Sequence, residues 1–160
     1  MPILLALSLL LAPINFHARV PEPQSAPNID VSGKLVSDTV QRGRTVQGTI
    51  VMDIPSGYHV NSNRPLEKFL VPTQLQIEAP KGIRVGPVSY PRALVRKFQF
   101  SKQPVSVYEG KATMRFSVTV PAGFATGSME LKAHLKYQSC SNELCFPPKS
   151  RDVSLWLKVK

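Results

Sequence analysis

Apolar and polar residues alternate with a period of two along much of the chain. The clearest segment is "SMELKAHLKY", in which one face is formed by Met129, Leu131, Ala133, Leu135 and Tyr137. Successive side chains of a β-strand point to opposite faces of a sheet. The pattern therefore predicts a strand with one buried face.

Four other segments alternate in the same way: "TVQGTIVMDI", "VPTQLQIEAP", "ATMRFSVTVP" and "DVSLWLKVK". We predict that the core side of these strands is formed by Val46, Ile50, Met52, Leu75, Ile77, Met114, Phe116, Val118, Val120, Val153, Leu155, Leu157 and Val159. Trp156 falls on the opposite face. Proline and glycine turns, as in "PSGYHV", separate most strands, and no helical period exceeds a turn or two. The chain is thus predicted to be all-β, a single immunoglobulin-like β-sandwich domain.

Residues 89–110, "SYPRALVRKFQFSKQPVSVYEG", do not follow this alternation. The segment is basic, aromatic and interrupted by prolines, which predicts an extended loop or an irregular edge. Loops of this length inside a compact domain are usually functional or disordered.

The first residues, "MPILLALSLLLAPINFHA", predict a signal segment over residues 1–18. Their apolar stretch has the length of a signal core and is shorter than the ~20 residues that span a bilayer. We expect cleavage between about residues 18 and 26, a proline-rich linker over residues 19–27 and the folded domain over residues 28–160. An uncleaved anchor is the alternative. The mature chain is then expected to lack an integral membrane segment and to be periplasmic or secreted, where thiols can oxidise.

The 160-residue chain is basic, with 20 Lys and Arg against 10 Asp and Glu and a net charge of +10. The basic residues are scattered singly, and the aromatic residues are not interleaved with them as base stacking requires. We therefore interpret the charge as a solvated basic surface and expect no nucleic-acid partner.

Both cysteines lie in "YQSCSNELCFPP", four residues apart. The intervening "SNEL" is a turn sequence, so Cys140 and Cys145 are predicted on facing arms of a hairpin, where Cα separations of about 4.5–5.5 Å permit a disulfide. As a staple, a bridge closing so short a loop contributes roughly 2 kcal/mol. The alternative is a redox couple, because strained or exposed disulfides are easily reduced. The spacing leaves both interpretations open.

A metal site is not expected, because zinc needs four ligands and the sequence offers one close cysteine pair. His59 and His134 are further candidates only if the fold brings them to the cysteines, and His134 is predicted to be solvent-exposed on its strand. Dinucleotide and phosphate-binding fingerprints are absent from the sequence, so we predict no cofactor.

The segment "YQSCSNELCFPPKS" resembles the active-site strand of the N-terminal periplasmic domain of DsbD-type thiol:disulfide interchange proteins. The segments "PSGYHVNSN", "APKGI" and "VYEGKATMRFSV" support the resemblance, which covers roughly residues 28–160. It implies an immunoglobulin-like domain in which Cys140 and Cys145 cycle between dithiol and disulfide. In the family, this domain takes electrons from a thioredoxin-like domain fed by a membrane segment, and passes them to periplasmic thiol-disulfide proteins.

The resemblance also implies a cap loop, over residues 96–105, that shields the sulfurs with an aromatic side chain. Phe98 or Phe100 is then the lid residue, with ordinary core filling as the alternative. The candidates nearest the site are Tyr58, His59, Asn61, Tyr137 and Phe146.

Several features depart from the family pattern. Four residues separate the cysteines where the best-known members have five, and the cap carries Arg96, Lys97 and Lys102 in place of acidic residues. His59 and Asn61 stand where family aromatics lie near the sulfurs. The sequence includes neither a membrane electron conduit nor a thioredoxin-like domain, so we expect a stand-alone domain that exchanges electrons with separate proteins.

The sequence thus predicts an extracytoplasmic thiol-disulfide exchange module that acts through Cys140 and Cys145. Its expected partners are a thioredoxin-like or membrane electron-carrier protein and periplasmic thiol-disulfide proteins. The alternative is a secreted immunoglobulin-like binding module with an inert structural disulfide.

Overall fold

The computed structural model describes residues 25–160. The predicted signal segment and residues 19–24 of the predicted linker lie outside the described residues. The described part is all-β, as predicted. Its twelve strands are β1 (Asp30–Leu35), β2 (Thr39–Val40), β3 (Thr45–Asp53), β4 (His59–Asn61), β5 (Gln74–Glu78), β6 (Arg84–Val85), β7 (Leu94–Arg96), β8 (Val105–Tyr108), β9 (Lys111–Thr119), β10 (Gly127–Tyr137), β11 (Ser139–Cys140) and β12 (Lys149–Val159).

The strands form three four-stranded sheets. Sheet A has the order β1-β3-β9-β6, sheet B the order β2-β12-β10-β5, and sheet C the order β11-β4-β8-β7. Sheets A and B face each other across one core and make the immunoglobulin-like sandwich. The two sheets approach closely at Gly33 of β1, where an added Cβ would lie 3.0 Å from Val153 of β12.

The predicted alternation accounts for this core. On β10 the five predicted core residues are all buried, and on β3 Val46, Ile50 and Met52 are buried with Gly48 between them. Trp156 is 63% exposed, on the polar face where the pattern places it. Within residues 25–160 there is no helix with the length and apolar character needed to cross a membrane.

Strands β10 and β12 form one long antiparallel hairpin, paired from Gly127↔Val159 to Tyr137↔Lys149. Its tip, residues 138–148, carries both cysteines, as predicted from the turn sequence. The short strand β11 follows β10 after Gln138 and leaves sheet B for sheet C, where Cys140 pairs with His59 of β4.

Sheet C lies at one end of the sandwich because the strands of sheet A also lead into it. Strand β4 follows β3 after a turn in which Gly57 adopts a φ of 83°, a left-handed conformation that favours glycine. Strand β8 connects to β9 through Gly110. The ends of both main sheets and the hairpin tip therefore converge on the same place.

The prediction for residues 89–110 was partly wrong. The segment contains β7 and β8, which pair antiparallel, and only residues 97–104 between them form a loop. All four residues of β8 are buried, including Ser106, whose hydroxyl bonds that of Ser62 at 2.8 Å. A short strand buried on both faces has no amphipathic alternation, and the flanking prolines suggested a loop instead.

Candidate redox site at the hairpin tip

Cys140 and Cys145 form a disulfide with an S–S distance of 2.05 Å. Their Cα atoms are 3.9 Å apart, closer than the predicted 4.5–5.5 Å, and the two residues face each other as an antiparallel bridge. Cys140 is fully buried, whereas Cys145 is partly exposed. The two cysteine residues therefore differ in their exposure to solvent.

The turn between the cysteines is organised by Ser141. Its N–H donates to the Leu144 carbonyl at 2.8 Å, and its Oγ accepts from the N–H groups of Glu143 and Leu144 at 3.2 and 3.3 Å. Serine side chains form such local turns readily. Just outside the disulfide, the Phe146 N–H donates to the Ser139 carbonyl at 2.9 Å, which holds the two arms together.

Gln138 connects this tip to the rest of sheet C. Its Oε1 accepts from Asn61 Nδ2 and from the Val71 N–H, both at 3.0 Å, and its Nε2 donates to the Phe146 carbonyl at 3.1 Å. Sequence reasoning did not single out Gln138, although it lies in the quoted cysteine motif. The available signal was its place in the aromatic-Gln-x-Cys pattern, "YQSC", that supports the family resemblance.

His59 lies beneath the disulfide, in register with Cys140 and only 2% exposed. Its ring stacks on Phe98 with centroids 3.9 Å apart and planes inclined by 11°. Its Nε2 is buried without a hydrogen-bond partner. Burial lowers the pKa of His59 to about 4, partly opposed by the negative charge of Glu109, so the ring is neutral at pH 7.

The loop over residues 97–104, which we call the cap loop, covers this region. Phe98 and Phe100 stack on each other at 5.3 Å, and both pack with Cys145 against a small apolar cluster formed by Leu70, Val105 and Val107. The two aromatic rings and the more exposed cysteine therefore share one apolar cluster.

Two polar contacts hold the cap loop in position. The Gln99 N–H donates to the Asn142 carbonyl at 3.3 Å, which joins the loop directly to the turn between the cysteines. At the base of the loop, Arg96 makes a two-pronged ion pair with Glu109, at 3.0 and 3.2 Å.

A cleft of about 440 Å³ opens beside the ring of His59. Tyr58, Phe98, Glu109 and Asn142 also line it. The cleft therefore borders both the cap loop and the turn between the cysteines.

The remaining predicted candidates divide into two groups. Tyr58 and Phe146 lie side by side, with ring centroids 6.2 Å apart, and Asn61 bonds Gln138, so these three adjoin the hairpin tip. Tyr137 instead belongs to the sandwich core, where burial raises the pKa of its hydroxyl.

His134, predicted to be a solvent-exposed spacer, has a more specific environment. Its Nδ1 lies 2.8 Å from Asp152 and its Nε2 3.1 Å from Glu78, and hydrogen bonds to these two carboxylates raise its pKa. It lies in sheet B, away from sheet C, where His59 pairs with Cys140. Among residues 25–160, no group of three or more His, Cys, Asp or Glu has the arrangement of a metal site.

The fold and the site define an immunoglobulin-like domain with a disulfide at a capped hairpin tip. Residues 32–156 match the family model "Thiol:disulfide interchange protein DsbD, N-terminal". The match covers most of the chain, and the protein therefore belongs to this family. It is a thiol-disulfide exchange domain with a disulfide-bonded cysteine pair.

Solved structures of two related domains resemble the chain. The DsbD N-terminal domain of Neisseria meningitidis, in its reduced form, is 18% identical, with 81% of this chain and 90% of that chain covered and a TM-score of 0.49. The N-terminal periplasmic domain of ScsB from Proteus mirabilis is 11% identical, with a TM-score of 0.53. That alignment covers 79% of this chain and 45% of the ScsB chain. No curated protein sequence matches the chain significantly.

Proposed function

We propose that Cys140 and Cys145 are the redox-active couple of an extracytoplasmic domain that relays electrons between partner proteins. The observation that carries the proposal is the unequal environment of the two sulfurs. Cys145 is partly exposed and packs against the same apolar cluster as the rings of the cap loop, whereas Cys140 is buried opposite His59. Such an arrangement offers one sulfur to a partner and keeps the other inside the domain.

The hairpin does not need the disulfide as a staple. Eleven register pairs already join β10 to β12 up to the base of the tip. Closing a ring of six residues would add only roughly 2 kcal/mol to a structure that its own strands hold together. Because the disulfide contributes little to the stability of the hairpin, it can be reduced and re-formed without unfolding the domain.

Electron transfer then proceeds by two thiol-disulfide exchanges. A thiolate of a reduced partner attacks Cys145 Sγ, the Cys140–Cys145 bond breaks, and Cys140 leaves as a thiolate that takes up a proton. A second thiolate of the partner attacks its own sulfur in the mixed disulfide, so the partner becomes oxidised and Cys145 is released. The reduced pair passes the two electrons to a second, oxidised partner by the reverse steps.

The cap loop controls which molecules reach the sulfurs. Phe98 and Phe100 share an apolar cluster with Cys145, and the Gln99–Asn142 hydrogen bond joins the loop to the turn. A partner that displaces these rings gains access, while small thiols are hindered. Tyr58 and Asn61 contact the tip, Tyr58 beside the ring of Phe146 and Asn61 through its bond to Gln138.

The partners we propose are a thioredoxin-like or membrane electron-carrier protein on one side and periplasmic thiol-disulfide proteins on the other. Family membership and the predicted signal segment support a periplasmic location. The sequence departs from the family pattern in its basic cap, where Lys97 and Lys102 flank the lid rings. This charge favours partners whose docking surface is acidic.

A matched pair of variants tests the couple. Cys140→Ser leaves the more exposed Cys145, which should react with a small aromatic disulfide and remain trapped as the mixed disulfide. Cys145→Ser leaves the buried Cys140, which should react at least tenfold more slowly because thiol exchange requires access. Acid quenching and mass spectrometry measure both rates, and circular dichroism checks that each variant is folded.

The redox potential of the wild-type pair separates exchange from the inert alternative. A potential above roughly −300 mV lies within reach of cellular dithiols, while a structural disulfide lies below it. Equal reactivity of the two single-cysteine variants, together with a potential below that value, would leave the inert binding module as the better description.

A further inference from the structure

His59 carries an unusual combination of features for a core residue. Its ring is 2% exposed, yet its Nε2 has no hydrogen-bond partner. A buried polar atom without a partner costs about 1–3 kcal/mol, so native structures rarely keep one without a reason. The position opposite Cys140 in the β4–β11 pairing suggests what the missing partner is.

The structure, in which His59 Nε2 has no hydrogen-bond partner, is that of the disulfide form of the protein. In that form neither sulfur carries a proton, so the hairpin tip offers the ring no S–H donor. Reduction changes this, because Cys140 then becomes a thiol. A thiol can donate a weak hydrogen bond, and a neutral imidazole nitrogen can accept one.

We infer that His59 is the hydrogen-bond and proton acceptor of the Cys140 thiol in the reduced domain. The inference rests on the proposed function, since it assigns a role within the same exchange reaction. Phe98 holds the imidazole in place by stacking on it, and the register of β4 with β11 sets it against Cys140. In this reading, the cap loop orients the acceptor as well as covering Cys145.

The step that needs this acceptor is closure of the disulfide. After Cys145 has attacked an oxidised partner, the two proteins are joined by a mixed disulfide and Cys140 is still a thiol. The Cys140 proton passes to His59, and the Cys140 thiolate attacks Cys145 Sγ. The Cys140–Cys145 bond forms, the bond from Cys145 to the partner breaks, and the partner's sulfur leaves as a thiolate that takes up a proton. The imidazolium returns its proton to solvent.

The charges around the ring are consistent with a proton that moves only during this step. The pKa of about 4 applies to the disulfide form, where burial disfavours the imidazolium. A Cys140 thiolate would place a negative charge against the ring and favour its protonated form. The other charged or titratable groups on the surrounding elements are Cys145, Glu109 with its partner Arg96, Tyr58 and Tyr108, Lys97 and Lys102 of the cap loop, and Glu143 of the turn.

Reaction of the reduced domain with 5,5′-dithiobis(2-nitrobenzoate) resolves the two steps. Attack on this probe releases one nitrothiobenzoate and leaves a second attached as the mixed disulfide, and closure by the other cysteine releases that second one. Stopped-flow absorbance records both phases. The variant is His59→Phe, which keeps an aromatic ring for Phe98 to stack on, with His134→Phe as the matched control in sheet B.

We expect the first phase of His59→Phe to match the wild type and the second to slow by about 10–100-fold at pH 7, since proton transfer to a positioned side chain contributes at least that much. The second phase should also become steeply dependent on pH, rising about tenfold per pH unit below the thiol pKa near 8.5. The wild type and His134→Phe should show a flatter profile. An unchanged second phase with an unchanged profile would overturn the inference.

Two further measurements test the role of His59. If His59→Phe fails to fold, His59→Gln, which can accept a hydrogen bond but no proton, replaces it. The wild-type profile is informative by itself, because closure that rises tenfold per pH unit from pH 5 to 8 excludes a built-in proton acceptor. A wild type that releases only one nitrothiobenzoate would instead contradict the proposed couple, so the two failures are distinguishable.

Discussion

The strands of the main sandwich (sheets A and B) and those of the cap end (sheet C with the cap loop and the hairpin tip) are joined by different kinds of contact. In the long strands of sheets A and B, such as β3, β9 and β10, an apolar side chain at about every second position faces a shared core, so these strands are held by repetition. In sheet C the strands are only two to four residues long, and single side chains join them. Gln138 alone bonds three separate segments there.

This contrast shows where the fold tolerates irregularity. A repeated pattern distributes stability over many residues, whereas a local network concentrates it in a few. The cap end therefore carries a buried polar network, a stacked histidine and a disulfide without disturbing the sandwich beneath it.

Gln138→Ala should destabilise the cap end. The change removes an acceptor for two N–H groups and a donor to the Phe146 carbonyl, and we expect a loss of about 3 kcal/mol in the free energy of unfolding. Urea denaturation measures the loss. The control is Gln76→Ala on the exposed face of β5, which should change stability by less than about 0.5 kcal/mol. Equal effects for the two glutamines would contradict a concentrated network.

Gly48→Ala should disturb the sandwich instead. An added Cβ would lie 2.3 Å from Phe116 Cζ, and the buried ring has little room to move. Overpacking of this kind costs about 1–3 kcal/mol. Gly123→Ala is the matched control, because an added Cβ there meets nothing within 4 Å. We expect the reactivity of the disulfide toward thiols to stay unchanged in Gly48→Ala, and a large change would show that the two regions are coupled.

Replacing both Phe98 and Phe100 with alanine should expose Cys145. Reduction of the bridge by dithiothreitol is then expected to accelerate at least tenfold, or about 1.4 kcal/mol, as followed by alkylation and mass spectrometry. Phe124→Ala removes a half-buried ring that packs on the sandwich core and should leave the rate unchanged. If the double variant is reduced at the wild-type rate, Phe98 and Phe100 do not act as a lid.

His59 and His134 should make opposite contributions to the pH dependence of the free energy of unfolding. The folded pKa of His59, about 4, lies below its ordinary value of 6.5, so the unfolded chain takes up the proton first and stability falls as pH decreases from 6.5 to 4. We expect a loss on the order of 1 kcal/mol, since water in the adjoining cleft moderates the penalty. His134 has a raised pKa, so its stabilisation is complete below pH 6.5 and is lost as pH rises through the folded value.

Thermal unfolding across this pH range checks both histidines. His59→Phe should flatten the acid side of the profile, and His134→Gln the neutral side. The same slope in all three proteins would mean that other groups dominate the pH dependence.

The sequence predicted the sandwich well and the cap end less completely, for a physical reason. Alternation reports a strand with one buried face, and it identified residues such as Met52, Leu131 and Leu157. It cannot report β8, whose four residues are all buried, or a network held by side chains distant in sequence. Gln138 and Asn61 are separated by 77 residues, and nothing local marks them as partners.

The cysteine pair and its hairpin were predicted from a turn sequence, which is a local signal. The stacking of His59 on Phe98 was not, because it depends on how the β7–β8 connection folds back over β4. The resemblance to a family suggested a lid and a nearby His59. The structure shows how they contact each other, through the stacking of Phe98 on the His59 ring.

The continuous pairing of β10 with β12 also has a consequence for the working life of the protein. Opening the sulfur bridge releases a ring of six residues at the very end of a ribbon whose remaining length is untouched. In the proposed exchange, each round would therefore leave the pairing of β10 with β12 intact, so the domain would not pass through an unfolded state that chaperones or proteases recognise.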